Sequence, residues 1–363
     1  IIAALEAAKL RILLAAPTGR AAKRMSEATG KEAKTIHRLL EYNPQEGCNR
    51  NADNPLEGDG RIVDECSMID LMLMHFLIKA IPPHMRLVMV GDTDQLPSVG
   101  AGNVLRDIID SDVVPVVRLT RIFRQAQSSR IVMNAHAINQ GRFPDISNGR
   151  QTDFFFLPQS DAETVVKDIV ALVRDRLPRA YKVRSSQIQV LSPMQRGTLG
   201  TVNLNRALQE ALNPGKGGLV RGAVSFRRGD RVMQLKNNYD KDVYNGDMGH
   251  IVSIDREEQS LKVSFDGREV DYDGSDLDEL TLSYATTIHK SQGSEFPIVV
   301  MPVLMAHFVM LQRNLIYTGI TRAKKICVLV GETKALNTAI RNVSSLQRYT
   351  RLSQRLAEMV KSL

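Results

Sequence analysis

The stretch RIVDECSMID, residues 61–70, ends a short apolar run in two acids and then enters a helix-like pattern. An Asp at the carboxyl edge of a parallel sheet can hold Mg²⁺ on a nucleotide. A neighbouring Glu can accept a proton from an attacking water. Asp64 and Glu65 are therefore the candidate metal-holding and water-activating carboxylates. A bare Asp-Glu after a few apolar residues is common, so the surrounding segments must carry the reading.

VGDTDQLPSVGAG (90–102) follows the apolar run RLVMV and gathers Asp92, Asp94 and Gln95 at a strand end. A Gln in that position can sense a γ-phosphate. A plain Gly/Pro turn does not require such a cluster. TTIHKSQGSEF (286–296) places Thr, His, Lys, Ser, Gln and Glu within one turn-helix segment. That density of short donors suits contacts to backbone phosphates at a helix N-terminus. YTGITRAKK (317–325) offers Arg322, and LTRIFRQ (119–125) offers Arg121 and Arg124. An arginine reaching a nucleotide from another domain is a trigger of phosphoryl transfer, although most single arginines are solvated surface residues.

These residues need a scaffold. RILLAA (11–16) reads as a strand, followed by a turn and a helix ending at Gly30, then a short helix at KTIHRLLEY. Residues 43–60 read as a loop or small hairpin. Strand 61–63, helix 67–80, strand 86–90, helix 102–110 and strand 113–118 follow. The alternation implies a mostly parallel sheet covered on both faces. Gly60 and Arg61 make 61–63 weak as a central strand. The alternation resumes with strand FFFLP, a helix over 161–176, strand QIQVL and a helix over 200–212. From about 223 to 275 the texture changes to short alternating runs separated by turns such as YNGDMG and FDGR, which predicts a small antiparallel barrel. The α/β pattern then returns through TLSYATTIHKS, PIVVMPV, a helix over 311–319 and KICVLVG.

With 363 residues the chain is long enough for two or three domains. A net charge of +8 hints at a polyanionic partner such as nucleic acid. Cys48, Cys66 and Cys327 are odd in number and far apart, which argues against a disulfide framework or zinc site and fits a reducing cytoplasm. The most apolar region, IVVMPVLMAHFVML (298–311), falls short of the ~20 residues of a membrane span.

Together the segments resemble the superfamily 1 DNA helicases of the RecD/TraA type over nearly the whole chain. LLAAPTGRAAKRM resembles motif Ia, KTIHRLL Ib, IVDECSM motif II, GDTDQLPSVGAG III and LTRIFRQ IV. LSPMQRGTLG resembles IVa, TTIHKSQGSEF V and YTGITRAKK VI. The resemblance implies an α/β fold of two RecA-like P-loop NTPase domains with parallel sheets. A small hairpin insert is expected in the first and an SH3-like β-barrel insert in the second. The expected bounds are 1–125 for the first domain, with the hairpin at about 42–60, and 126–215 with 276–345 for the second. The SH3-like insert is expected at 216–275, and a C-terminal helix at 346–363.

The resemblance also implies ATP and Mg²⁺ as cofactors and 5′→3′ travel on single-stranded DNA. Asp64 would hold Mg²⁺, Glu65 would polarise the attacking water, and Gln95 would contact the γ-phosphate. Arg124 and Arg322 would stabilise the transferring phosphoryl. Glu295, with Gln292 and Gly293, would serve the nucleotide. Pro17, Thr18 and His37 in the first domain, and Thr198, His289 and Ser291 in the second, would contact the strand. Asn238 is a further strand candidate whose alternative reading is a turn residue. The partners expected are single-stranded DNA and single/double-strand junctions, with a nuclease-containing complex open. The family's P-loop, G-x-x-x-x-G-K-[ST], occurs nowhere in these residues; Gly30-Lys31 is followed by Glu32. A P-loop upstream of Ile1 is therefore expected. Three readings stay open: an ATP-driven helicase, a nucleic-acid-binding module without ATPase activity, and a translocase that does not unwind.

Overall fold

The computed structural model describes residues 1–43, 45–119, 128–149, 152–215, 217–344 and 348–361. The chain forms two units, Ile1–Arg121 with Ser344–Leu363, and Ile122–Val343.

In the first unit, strands β1 (Ile12–Ala16), β2 (Ala33–Thr35), β5 (Gly60–Val63) and β6 (Arg86–Met89) make a parallel sheet in the order β2-β1-β5-β6. The two-residue strands β3 (Tyr42–Asn43) and β4 (Gly47–Cys48) form the expected hairpin. Ala15 and Ala16 are fully buried on opposite faces of the sheet, and the small side chain of Ala16 lets the helix Gly19–Thr29 approach through Ala21 and Ala22. Thr18 caps that helix by accepting from Ala21 N at 3.2 Å, and Gly30 ends it at φ 68°.

β5 corrects one expectation. It lies between β1 and β6 with all four residues buried. Gly60 packs closely there: a Cβ would sit 2.9 Å from Ile12 Cδ1, so a larger residue would have to move that side-chain tip. Arg61 is fully buried with its Nη2 against Met85 Sδ at 3.9 Å, and burial pulls its pKa down to about 10. A second expectation fails outright. Residues 113–119 form no strand, and Val117 and Leu119 are 87% and 96% exposed. β-propensity alone makes no strand without a neighbour to complete the ladder.

The second unit holds the parallel sheet β16-β8-β17-β18-β7, built from β7 (Phe154–Pro158), β8 (Ile188–Ser192), β16 (Ala285–Thr287), β17 (Phe296–Val303) and β18 (Ala323–Gly331). The change of texture after residue 215 becomes a hairpin, β9 (Leu219–Arg221) with β10 (Val224–Phe226), and an antiparallel sheet in the order β14-β13-β12-β11-β15. Its strands are β11 (Arg231–Gln234), β12 (Met248–Asp255), β13 (Ser260–Phe265), β14 (Arg268–Tyr272) and β15 (Leu280–Leu282). One apolar cluster runs through both sheets, from Val190 and Val300 to Val232, Val263 and Tyr272. Buried Asp230 fixes the insert to the helix Thr201–Leu212 and the chain after it, accepting from Gln209 Nε2 at 2.6 Å, Asn213 Nδ2 at 2.7 Å and Tyr284 OH at 2.8 Å. The helix expected over 161–176 runs on to Tyr181 through a π-helical turn at Leu172–Arg176, next to Pro178, which lacks an N–H to donate.

Candidate functional site

The carboxyl ends of β5 and β6 are stitched together. Val90 N donates to Val63 O at 2.8 Å and Cys66 N to Val90 O at 2.9 Å. Asp64-Glu65 and Asp92-Gln95 therefore follow adjacent parallel strands on one sheet edge. Gly91 permits this approach, since a Cβ would lie 3.0 Å from Cys66 N and 2.8 Å from Leu105 Cδ2. Asp64 N donates to Ala15 O at 3.0 Å, and the Asp64 carboxylate accepts from Glu65 N at 2.8 Å. Glu65 sits at φ 53°, ψ 38°. A non-glycine residue there stores on the order of 1 kcal/mol or more, a feature concentrated at functional sites. Cys66 beneath the two acids is pushed up to about 12, by burial first and then by the negative charge of Asp64 and Glu65. It is a packed thiol, inert as a nucleophile.

Gln95 is oriented by its neighbour: its Nε2 donates to Asp92 Oδ2 at 3.2 Å and its backbone N to Asp92 O at 3.3 Å. Arg106 holds the same turn, donating to Thr93 O at 3.0 Å and Asp94 Oδ1 at 3.4 Å.

The strand candidates of the first unit divide. Pro17 and Thr18 follow the carboxyl end of β1, and the Thr18 hydroxyl oxygen accepts one bond as the helix cap, which leaves its O–H able to donate. His37 lies on the short helix Ile36–Leu39, its pKa lowered by burial against the opposing pull of Asp70. It meets the Tyr42 ring edge-on at 5.4 Å, which links it to the hairpin. Tyr42 is 43% exposed, and its contact with His37 is not visible in the sequence.

In the second unit, segments V and VI zip together. Arg322 Nη1 donates to Ser294 O at 3.2 Å and its Nε to Thr318 O at 3.2 Å; Phe296 N donates to Arg322 O at 2.8 Å. Glu295 forms an ion pair with Lys324 at 3.0 Å. Gly293 adopts φ 70°, and Gln292 is buried. The expected helix after TTIHK is absent: His289–Ser291 is a single 3₁₀ turn. His289 and Lys290 are half-buried, and burial lowers the pKa of both. Ser291, expected as a strand contact, is engaged within its own turn. Its side chain is fully buried and donates to Ile288 O at 2.7 Å, so it shapes the turn. Thr198 is half-buried, beyond the carboxyl end of β8. Asn238 behaves as a turn residue, its Oδ1 accepting from Lys241 N at 3.1 Å and its Nδ2 donating to Glu279 at 3.2 Å. Arg121 and Arg124 lie outside the described residues.

Three family models match the chain: the AAA domain over residues 1–101, the ATP-dependent RecD-like DNA helicase SH3 domain over 204–265, and the UvrD-like helicase C-terminal domain over 282–330. The ATP-dependent RecD2 DNA helicase of Deinococcus radiodurans is 38% identical over 349 residues, covering 94% of this chain and 47% of that protein. The RecD subunit of the RecBCD enzyme from Haemophilus influenzae is 29% identical, covering 93% of this chain and 64% of its own length. The chain thus spans about half the length of the first relative and under two thirds of the second. Among solved structures, a Pif1 helicase studied in DNA unwinding at forked double-stranded DNA superposes with a TM-score of 0.53 at 18% identity. The match covers 99% of this chain and 88% of that one. That likeness establishes the fold: two parallel α/β units, with β9 to β13 of the antiparallel insert in the second lying inside the stretch that the SH3 model matches and β14 and β15 following it. By the models it matches and the relatives it aligns with, the chain is a homologue of the RecD-like helicases.

Proposed function

We propose that the protein is an ATP-dependent DNA helicase that moves 5′→3′ along single-stranded DNA and serves repair, recombination or transfer. The observation that carries this reading is the stitched edge of β5 and β6. It sets Asp64, a backbone-constrained Glu65 and an Asp92-oriented Gln95 side by side, in a homologue of the RecD-like helicases. The relatives' names support ATP use and a DNA substrate.

Among the described residues no three metal-ligating side chains converge. That fits magnesium on a nucleotide, which keeps water and phosphate ligands and needs only one or two carboxylates. Asp64 would hold the ion, whose bound charge would offset that of the β- and γ-phosphate oxygens. Glu65 would take the proton of the attacking water, and Gln95 would orient toward the γ-phosphate. Arg322, with Arg124 as a second candidate, would supply positive charge to the transferring group. Glu295, with Gln292 and Gly293, would serve the nucleotide. Pro17, Thr18, His37, Thr198 and His289 would track the strand backbone of single-stranded DNA and its junctions with duplex. Such contacts are salt-sensitive and largely sequence-blind. A complex with nuclease subunits fits the RecD relatives. A cytoplasmic setting fits the three free cysteines. No described helix is long and apolar enough to cross a membrane.

A second reading, a DNA-binding module without ATPase activity, is favoured by one observation: no Walker-type P-loop lies within the 363 residues. Turnover of ATP with and without single-stranded DNA, on this chain and on a form extended to the length of its relatives, separates the two. DNA-stimulated hydrolysis by the extended form supports the helicase. DNA binding with no hydrolysis in either form selects the module.

A further inference from the structure

The loop Ser98–Gly102, which continues from Gln95, is gripped from two sides. On one side it presses on the start of the helix Leu71–Ala80. Leu71 N donates to Ala101 O at 2.9 Å, and a Cβ at Gly100 would lie 2.0 Å from Asp70 Oδ2. Gly102 takes φ +97°, with Leu71 Cγ 2.6 Å from where its Cβ would be. The loop has no regular ladder; the single proton of the Ser98 hydroxyl lies 3.2 Å from Gly100 O and 3.4 Å from Gly102 O by its oxygen, so the loop's carbonyls need further donors.

The donors come from the far end of the chain. Arg348 Nη1 donates to Gly100 O at 2.7 Å and to Gly102 O at 2.8 Å, and its Nη2 donates to Ser98 O at 2.8 Å. Nearby, the Thr350 hydroxyl donates to Asp107 on the helix Val104–Asp110, and Leu352 packs on the cluster that contains Val104 and Leu105. A guanidinium presents its N–H groups as a rigid planar fork, which suits three carbonyls converging on one point; an ammonium on a flexible stem lacks that geometry.

The geometry points to Arg348 as a positioning residue: it fixes the Ser98–Gly102 loop and, through it, the setting of Gln95. The inference rests on the nucleotide role proposed above for Gln95, but its first test is independent of ATP. Amide exchange on this chain should speed up about tenfold or more over residues 96–103 in Arg348→Ala, with β1 unchanged. Arg348→Lys should fall between that variant and the parent. Thr350→Val, which removes the adjacent anchor, should leave 96–103 within about twofold of the parent.

In the extended form, Arg348→Ala should lower DNA-stimulated kcat about tenfold, with KM for ATP within about twofold. Three results would overturn the inference: unchanged exchange over 96–103 in both arginine variants, equal loosening by Thr350→Val, or loss carried by KM alone. If Arg348→Ala does not fold, Arg348→Lys decides alone by the same exchange. Should the extended form turn over no ATP at all, the exchange result still decides the positioning while the helicase reading falls.

Discussion

The Gln95 side chain donates to the Asp92 carboxylate at 3.2 Å, so a glutamine at the edge of the candidate phosphate site is already oriented by its own turn. Asp92 also accepts from Asp94 N at 3.0 Å, which ties the turn's shape to the same carboxylate. Misplacing a reacting-site group by about 1 Å can cost on the order of 100-fold. Asp92→Ala should therefore lower DNA-stimulated ATP turnover by about 10- to 100-fold in the extended form. Steady-state turnover at saturating DNA reads this out, and a rate within about twofold of the parent removes Asp92 from the site.

Arg322 has two duties. It is buried and donates to the Ser294 and Thr318 carbonyls, the second of which also accepts from Thr321 Oγ1 at 3.0 Å, so removing it loses two buried hydrogen bonds at about 1–3 kcal/mol. In the role proposed for it, removal should also lower turnover by about 10³- to 10⁵-fold. Thermal melts alongside turnover of Arg322→Ala and Arg322→Lys separate the two duties. A lysine variant that melts close to the parent yet stays inactive fits both. A fully active one dismisses the catalytic duty.

His307 predicts acid sensitivity in the second unit. It is 2% exposed, its Nε2 has no hydrogen-bond partner among the described residues, and burial lowers its pKa from 6.5 to about 4. The unfolded chain thus takes up the proton first. Stability contributed by the neutral ring is complete above pH 6.5 and drains as pH falls toward about 4, by up to ~3 kcal/mol. Urea titrations between pH 7 and 4 on the parent and on His307→Asn measure it. The variant should show a flatter profile, and parallel profiles would count against this assignment.

Gly100→Ala should push on Asp70, whose carboxylate caps the helix Leu71–Ala80 by accepting from Leu73 N at 2.8 Å. The expected loss is about 1–2 kcal/mol. The same change in an Asp70→Ala background should cost clearly less, because the two residues share one contact. Additive losses in a double-mutant cycle would show that the clash relaxes elsewhere.

In the helicase proposed above, the hairpin at 42–48 is the candidate wedge between strands, and the structure limits how that can be tested. Deleting residues 44–57 would impair unwinding and also remove Leu56, which is buried in the core and donates from its N to Ala80 O at 2.8 Å. Tyr42→Ala keeps the core and removes the ring beside His37. Unwinding should drop severalfold while DNA-stimulated ATPase stays within about twofold. Equal loss of both would place Tyr42 in grip on the strand and not in separation.

Much of this was legible in the chain itself. β1, β6 and β8 are short apolar runs followed by candidate residues, Pro17 and Thr18, Asp92 and Gln95, and Thr198, and the apolar run of β18 follows Arg322. Thr18 and Gly30 mark both ends of their helix by local chemistry alone. The antiparallel insert announced itself by its turns. Such features depend on neighbours in sequence, so sequence suffices.

What tertiary structure decided depends on partners far along the chain. Gly60 and Arg61 weaken β5 on paper, yet β1 and β6 flank it and bury it completely. Residues 113–119 have strand propensity and no strand beside them. Ser291 and Asn238 carry donors that suit DNA, but the fold turns them onto Ile288, Lys241 and Glu279. Arg348 looks like any basic residue near a helix until three carbonyls from residues 98–102 converge on it. A hydrogen bond needs atoms within about 3 Å, and separations of that kind are set by packing across the fold, where spacing in sequence says nothing.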